Sequence, residues 1–260
     1  MRRGVRPGSC GERYRAGVRV GVYVDGYNLY YGGRQLCGRG TPGWRWLDIR
    51  ALATDLIAAQ TGWPDATIEK IIYCTARVGA GNSPQSAADQ DAYLKALTAS
   101  STVDHIEYGH YTARTRKGLL ATEDNKHRPQ IHTADWPVKI QDADGNPVPD
   151  ARYMAQFLFF EEKGSDVNVA THLTLDVIRG NIDAAVVISN DSDLRLPVVT
   201  AREIVPVGLV NPRGGIIAGD LAGKKTDGVG NHWFRKLGAD DFLIHQLPAE
   251  IAGYHRPTGW

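Results

Sequence analysis

The chain has 260 residues, is 42% hydrophobic and 23% charged, and carries a formal net charge of +1. That is the composition of an ordinary soluble globular protein, long enough for one large α/β domain or two small ones. The average charge gives no support for a membrane or nucleic-acid partner, and no run approaches the ~18 consecutive apolar residues of a membrane-spanning helix.

The first 17 residues are rich in Arg and Gly, with Arg2, Arg3, Arg6, Arg13 and Arg15 against Glu12. They read as a flexible basic tail (1–17), and no apolar stretch follows that would make them a secretory signal. Cys10, Cys37 and Cys74 are odd in number and widely spaced. That argues against a disulfide framework or a zinc knuckle and makes a reducing cytoplasm the expected location. Cys74 lies in an apolar run and reads as a small buried residue.

Val18–Asp25 ("VRVGVYVD") is a β-branched run ending in an acid, and it predicts a buried strand. Leu47–Gly62 has helical spacing, with Asp48 placed as a cap and Gly62 as a stop. Ala66–Arg77 predicts the second strand. Ser83–Ser100 predicts a helix capped by Ser83 with Pro84 at its first position. Thr102–Thr112 alternates and predicts a third strand. Residues 113–150 are polar and hold Arg114, Arg116, Lys117, Lys126 and Arg128. They contain the turn signal "DADGNPVPD" and read as an inserted hairpin or flap. Within Met154–Asn181 a strand-like run leads to a helix, with Val167, Ala170, Thr174 and Val177 on one face and Gly180 as a stop. Ala184–Asn190 and Glu203–Pro212 predict two more strands, and Ala239–Leu247 a last one. The domain proper is expected to span 18–250, followed by a tail at 251–260.

Strands alternating with helices predict a mainly parallel sheet covered on both faces. In such sheets ligands bind beyond the carboxyl ends of the strands. Asp25 ends the first strand, Asp191 and Asp193 follow the strand at 184–190, and Asp166 opens a helix. Carboxylates held close repel one another unless a cation or water relieves them. An oxygen-only set with no His/Cys cluster suits Mg2+ or Mn2+ rather than Zn2+. Each acid also has an ordinary structural reading, Asp166 for example as a residue suited to a helix N-terminus.

Asn28 reads as a local cap, or as a group that orients a ligand or touches phosphate. Tyr27, Tyr30 and Tyr31 crowd the same turn, where exposed rings stack on bases and buried ones fill the core. Lys163 and Ser189 flank the acids, as phosphate contacts or as a surface lysine and a backbone-bonded hydroxyl. Asp176 lies ~15 Å along the helix from Asp166, which makes it a poor co-ligand. The histidines show no HExxH or HxH pattern. His110, His127 and His132 fall in or near the insert, where a metal knuckle is the less favoured reading.

Three blocks, "VYVDGYNLYY", "EEKGSDVNVATHLTLDVIRGNIDAAVVISNDSDL" and "VGLVNP", resemble the NYN domain family of PIN-like nucleases, from about Val18 to Pro212. The resemblance implies a PIN-like Rossmannoid three-layer sandwich with a mainly parallel central sheet flanked by helices. It implies a Mg2+- or Mn2+-dependent endoribonuclease whose acids map onto Asp25, Asp166, Asp191 and Asp193, with Asn28 as the polar position after the first acid. Where many relatives read Ser-Gly-Asp-Gly-Asp, this chain reads Ser189-Asn190-Asp191-Ser192-Asp193 and keeps both acids. RNA is the expected partner, single-stranded or structured and tRNA among the candidates. It would be held by Asn28, Tyr27, Lys163, Ser189, Arg114, Arg116 and Lys117. A homodimer is left open. The alternatives are a catalytically inactive RNA-binding or adaptor module and, more remotely, an aspartyl phosphotransferase. The last would call for an acid at the position held by Tyr27.

Overall fold

Val20 to Asp25 are all buried, and Arg19–Asp25 forms the first strand, β1. A run with no polar alternation has no solvent face, so it belongs in the middle of a sheet. The computed structural model describes residues 17–79, 83–126, 128–131, 139–219 and 221–260. After β1 come α1 (Gly26–Cys37), α2 (Ile49–Ala58), β2 (Thr67–Ala76), α3 (Pro84–Ala99), β3 (His105–Leu119), β4 (Ala121–Glu123) and β5 (Pro129–Ile131). Then follow β6 (Met154–Lys163), α4 (Ser165–Ile178), β7 (Ala184–Ile188), a 3-10 turn (Ser192–Leu194), α5 (Arg195–Arg202) and β8 (Val207–Asn211). The chain closes with β9 (Trp233–Lys236), α6 (Ala239–Ile244), β10 (Glu250–Ile251) and β11 (Tyr254–His255).

The described residues divide into two compact units, one running up to Gly109 and resuming at Gly164, the other His110–Lys163. The first is mixed α/β. Its sheet runs β3-β2-β1-β7-β8-β9 with all of these pairings parallel. Val20, Val22 and Val24 point into one apolar cluster with Leu52 and Leu56 of α2, Leu94 and Leu97 of α3, and Phe242 of α6. Tyr23 and Cys74 point into a second, with Val169 and Leu173 of α4 and Val198 of α5. The period-2 alternation of β1 therefore separates two cores, one on each face. The N-terminal caps act as read, whereas Gly62 lies beyond the end of α2, which closes at Ala58 with Ala59 as its C-cap. The Asp48 side chain accepts from the Ala51 N–H, and the Ser83 side chain from Ser86 ahead of Pro84.

Three expectations are corrected. Ala239–Leu247 is not a strand, because α6 occupies Ala239–Ile244. The Gly238 N–H donates to Asp241 Oδ2 at 2.8 Å, and Phe242 and His245, three apart, are buried while Leu243 and Ile244 are exposed. The buried face of α4 is Ser165, Val169, Leu173, Asp176 and Val177, whereas Val167 is exposed. The spacing was helical but the face was displaced. The third strand begins at His105 and runs on to Leu119.

In the second unit His110–Leu119 pairs antiparallel with Met154–Lys163, and β4 pairs with β5. The predicted turn forms around Asp142, whose Oδ1 accepts from the Asp144 and Asn146 N–H groups, with Gly145 at φ 84°. At the chain end, Trp260 packs on Trp46 and Tyr93. Among the described residues no helix is long and apolar enough to cross a membrane.

Candidate active site

The sheet register brings the first acid to the level of β7's end. Val24 lies beside Ile188, so Asp25 stands next to Ser189. Asp25 is only 3% exposed. It also caps α1: its Oδ1 accepts from the Asn28 N–H at 3.0 Å. Its Oδ2 accepts from the Ser189 hydroxyl at 2.9 Å. Desolvation pushes this carboxyl up to about 6, against the hydrogen bonds of Asn28 and Ser189, and the charge of Asp191 pushes the same way. The Ser189 hydroxyl thus bonds to an acid rather than to a backbone carbonyl. Its oxygen also accepts the Asp191 N–H at 3.1 Å.

The loop after β7 is tied back to α1 and to a third segment. The Asn190 N–H donates to Asn28 Oδ1 at 3.3 Å. The Asn190 side chain accepts from the Ala218 N–H and donates to the Ile216 carbonyl. Asn190 therefore uses its amide as a strut at a position where glycine would leave the loop loose. Asp191 Oδ1 accepts the Asp193 N–H at 3.0 Å and caps the 3-10 turn. Asp191 is half-buried and Asp193 exposed. Asp166 is half-buried in the first turn of α4, which packs against the turn that carries Asp193.

The chain thus gathers Asp25, Asn28, Ser189 and Asp191 by direct hydrogen bonds, with Asp193 and Asp166 on the elements next to them. The donors are all oxygens, and a buried carboxyl raised by desolvation and by a like charge is one that a hard cation would favour in its ionised form. Among the described residues, however, no trio of the four aspartates brings one oxygen each within 4.8 Å of the others; the trio that does so is His105, Glu107 and His172. Sequence reading missed it. His105 and Glu107 are two apart on β3, but His172 reaches them only through the packing of α4.

Tyr30 and Tyr31 are exposed and meet edge to face at 5.3 Å, with Tyr27 at 5.9 Å from Tyr31. Asp176 is buried, its oxygens taking hydrogen bonds from Tyr23, Lys70 and Asn181. Burial pushes its carboxyl up, but those hydrogen bonds outweigh this and hold it below its ordinary value. It serves as a packing strut. Arg114, Arg116, Lys117 and Lys163 belong to the second unit. There Arg116 and Lys163 both pair with Glu161, and the Arg116 guanidinium lies over the Phe159 ring at 4.0 Å. His127 and His132 lie outside the described residues.

No family model matches the chain. It is 30% identical over 262 aligned positions to a protein of Pseudomonas putida named 6-hydroxy-3-succinoylpyridine 3-monooxygenase HspA, covering 93% of this chain and 73% of that one. A crystal structure of a Vibrio parahaemolyticus protein of unknown function aligns over 88% of this chain and 97% of its own, at 15% identity and a TM-score of 0.42.

Proposed function

We propose that this chain, which belongs to the family of the Pseudomonas putida monooxygenase HspA, is a PIN-like, NYN-type ribonuclease that hydrolyses RNA phosphodiester bonds at its acidic pocket with Mg2+ or Mn2+. The observation that supports this most is the buried Asp25 carboxyl. It is fixed by the Asn28 N–H and the Ser189 hydroxyl and shares its surroundings with Asp191. Capping α1 accounts for one of its oxygens; what a cap alone does not call for is near-complete burial with the charge of a second acid, Asp191, nearby. Asp25 and Asp191 would hold the ion, with Asp166 and Asp193 as further oxygen donors. Bound there, the ion would supply charge compensation at a phosphoryl oxygen and an acidified water.

The chain's own groups have separate tasks. Ser189 holds the Asp25 carboxyl in one orientation, and Asn28 ties the loop after β7 to α1. Asp193, exposed on the 3-10 turn, would orient the attacking water. Tyr30 and Tyr31 offer faces for unpaired bases, the form in which RNA bases are open to contact. Arg114, Arg116 and Lys117 contribute a salt-sensitive phosphate attraction.

The test is incubation of the purified chain with mixed tRNA, rRNA and mRNA plus Mn2+, beside Asp191→Asn. Cleavage that needs the ion and vanishes in the variant supports the reading; equal cutting by the variant overturns it. Binding without cleavage would leave the inactive adaptor of the same fold. A second reading follows from kinship alone: oxygenation of a hydroxylated pyridine. The same preparation given such a substrate, O2 and a reduced nicotinamide as electron donor would then yield a hydroxylated product and one water.

A further inference from the structure

We propose that His105, Glu107 and His172 form a binding site for a first-row transition-metal dication of the Zn2+ or Fe2+ class, separate from the acidic pocket. His105 Nε2 and His172 Nε2 lie 3.0 Å and 3.1 Å from the same oxygen, Glu107 Oε2. One ligand atom from each residue can be chosen so that all lie within 4.8 Å. Two imidazoles and one carboxylate suit Zn, Fe, Ni or Cu and not Mg2+, which prefers oxygen alone.

The scaffold is rigid where it matters. His105 and Glu107 alternate on β3, so both project from one face of a strand paired with β2. The third ligand comes from α4, which is anchored by the fully buried Val169 and Leu173 on either side of His172. The side chains of His105, Glu107 and His172 keep 53%, 37% and 30% of their surface exposed. Solvent can therefore reach the group, which leaves positions for water or a substrate atom as in open three-ligand sites.

The geometry also places this group on the sheet face that carries the acidic pocket. Asp25 is in register with Cys74, and Cys74 with Glu107, on adjacent parallel strands. The two sites are thus two strands apart, ~10 Å at the usual strand spacing. One is built of oxygens, the other of imidazoles.

The test uses the full chain stripped with EDTA. Titration with Zn2+ is expected to show one tight equivalent. His105→Gln, Glu107→Gln and His172→Gln should each weaken it by more than the ~10–100-fold typical of losing an outer-shell partner, whereas Asp25→Asn and Asp191→Asn leave it unchanged. Co2+ loaded on the wild type, which needs no variant to fold, should show the visible bands of a low-coordinate nitrogen-bound ion. Absence of a tight Zn2+ equivalent, a Co2+ spectrum like that of the aqueous ion, or Zn2+ binding that survives the glutamine variants overturns the proposal. Loss of Zn2+ binding in Asp25→Asn would do so as well.

Discussion

Replacing Asp25 by Asn should make the metal-free protein more stable at neutral pH. The carboxyl is raised from 3.8 to about 6, chiefly by burial. At about 1.36 kcal/mol per pKa unit, keeping it ionised in the folded chain costs about 3 kcal/mol. The sign follows from linkage. A raised carboxyl binds its proton more tightly in the folded state, so its contribution is most favourable below pH 3.8. That contribution falls through the window from 3.8 to about 6 and stays low above it. Asparagine carries no charge, but it offers Ser189 one acceptor fewer, a loss of about 1 kcal/mol. The net expectation in EDTA at pH 7.5 is a gain of about 2 kcal/mol. The gap should close, then reverse, as the pH is lowered to 4. Urea denaturation of both proteins at pH 7.5, 6 and 4 measures the gap and cancels acids common to both. Mn2+ should stabilise the wild type and not the variant. A variant that is less stable at pH 7.5, or a gap that does not change with pH, would refute the reasoning.

Three further outcomes are expected. Asp176→Ala strips partners from Tyr23 and Lys70 and should cost about 3 kcal/mol by chemical denaturation, against about 1 kcal/mol for Tyr23→Phe, which leaves Asp176 bonded to Lys70 and Asn181. Gly32→Ala drives its new methyl into the carbonyl of Pro212; it should lower stability by about 1–3 kcal/mol and reduce activity by shifting the helix that carries Asn28. Changing Arg114, Arg116 and Lys117 together to Ala should weaken RNA binding across sequences and flatten its salt dependence by up to about three in log–log slope, read by filter binding.

The apolar runs at β1, β7 and the second half of β2 were legible because a strand buried on both faces has no polar alternation to confuse it. Asp48 and Ser83 announced α2 and α3 because capping is local chemistry. Elements fixed by distant contacts were not legible. α1 carries Gly32 and Gly33 where a helix is not expected. Gly32 lies against Pro212, and Gly33 against Trp44 and Phe242, so tertiary packing overrides poor propensity. The short run Trp233–Lys236 becomes β9 because β8 offers it a partner. α6 was mistaken for a strand because Leu243 and Ile244, apolar but exposed, hid the spacing of Phe242 and His245. At the candidate site, the placing of Asp25 and Asp191 could be anticipated from the strand ends. The Asn190 strut, the Ser189–Asp25 hydrogen bond and the meeting of His172 with Glu107 depend on register and helix packing, which no local pattern encodes.

Mn2+ binding followed by electron paramagnetic resonance tests the oxygen-lined pocket most directly. With the His105–Glu107–His172 group filled by Zn2+, the wild type should still bind Mn2+, and Asp25→Asn and Asp191→Asn should each lose most of that binding while remaining folded. Mn2+ binding that is equal in all three proteins, or that disappears once Zn2+ is present, would contradict the account.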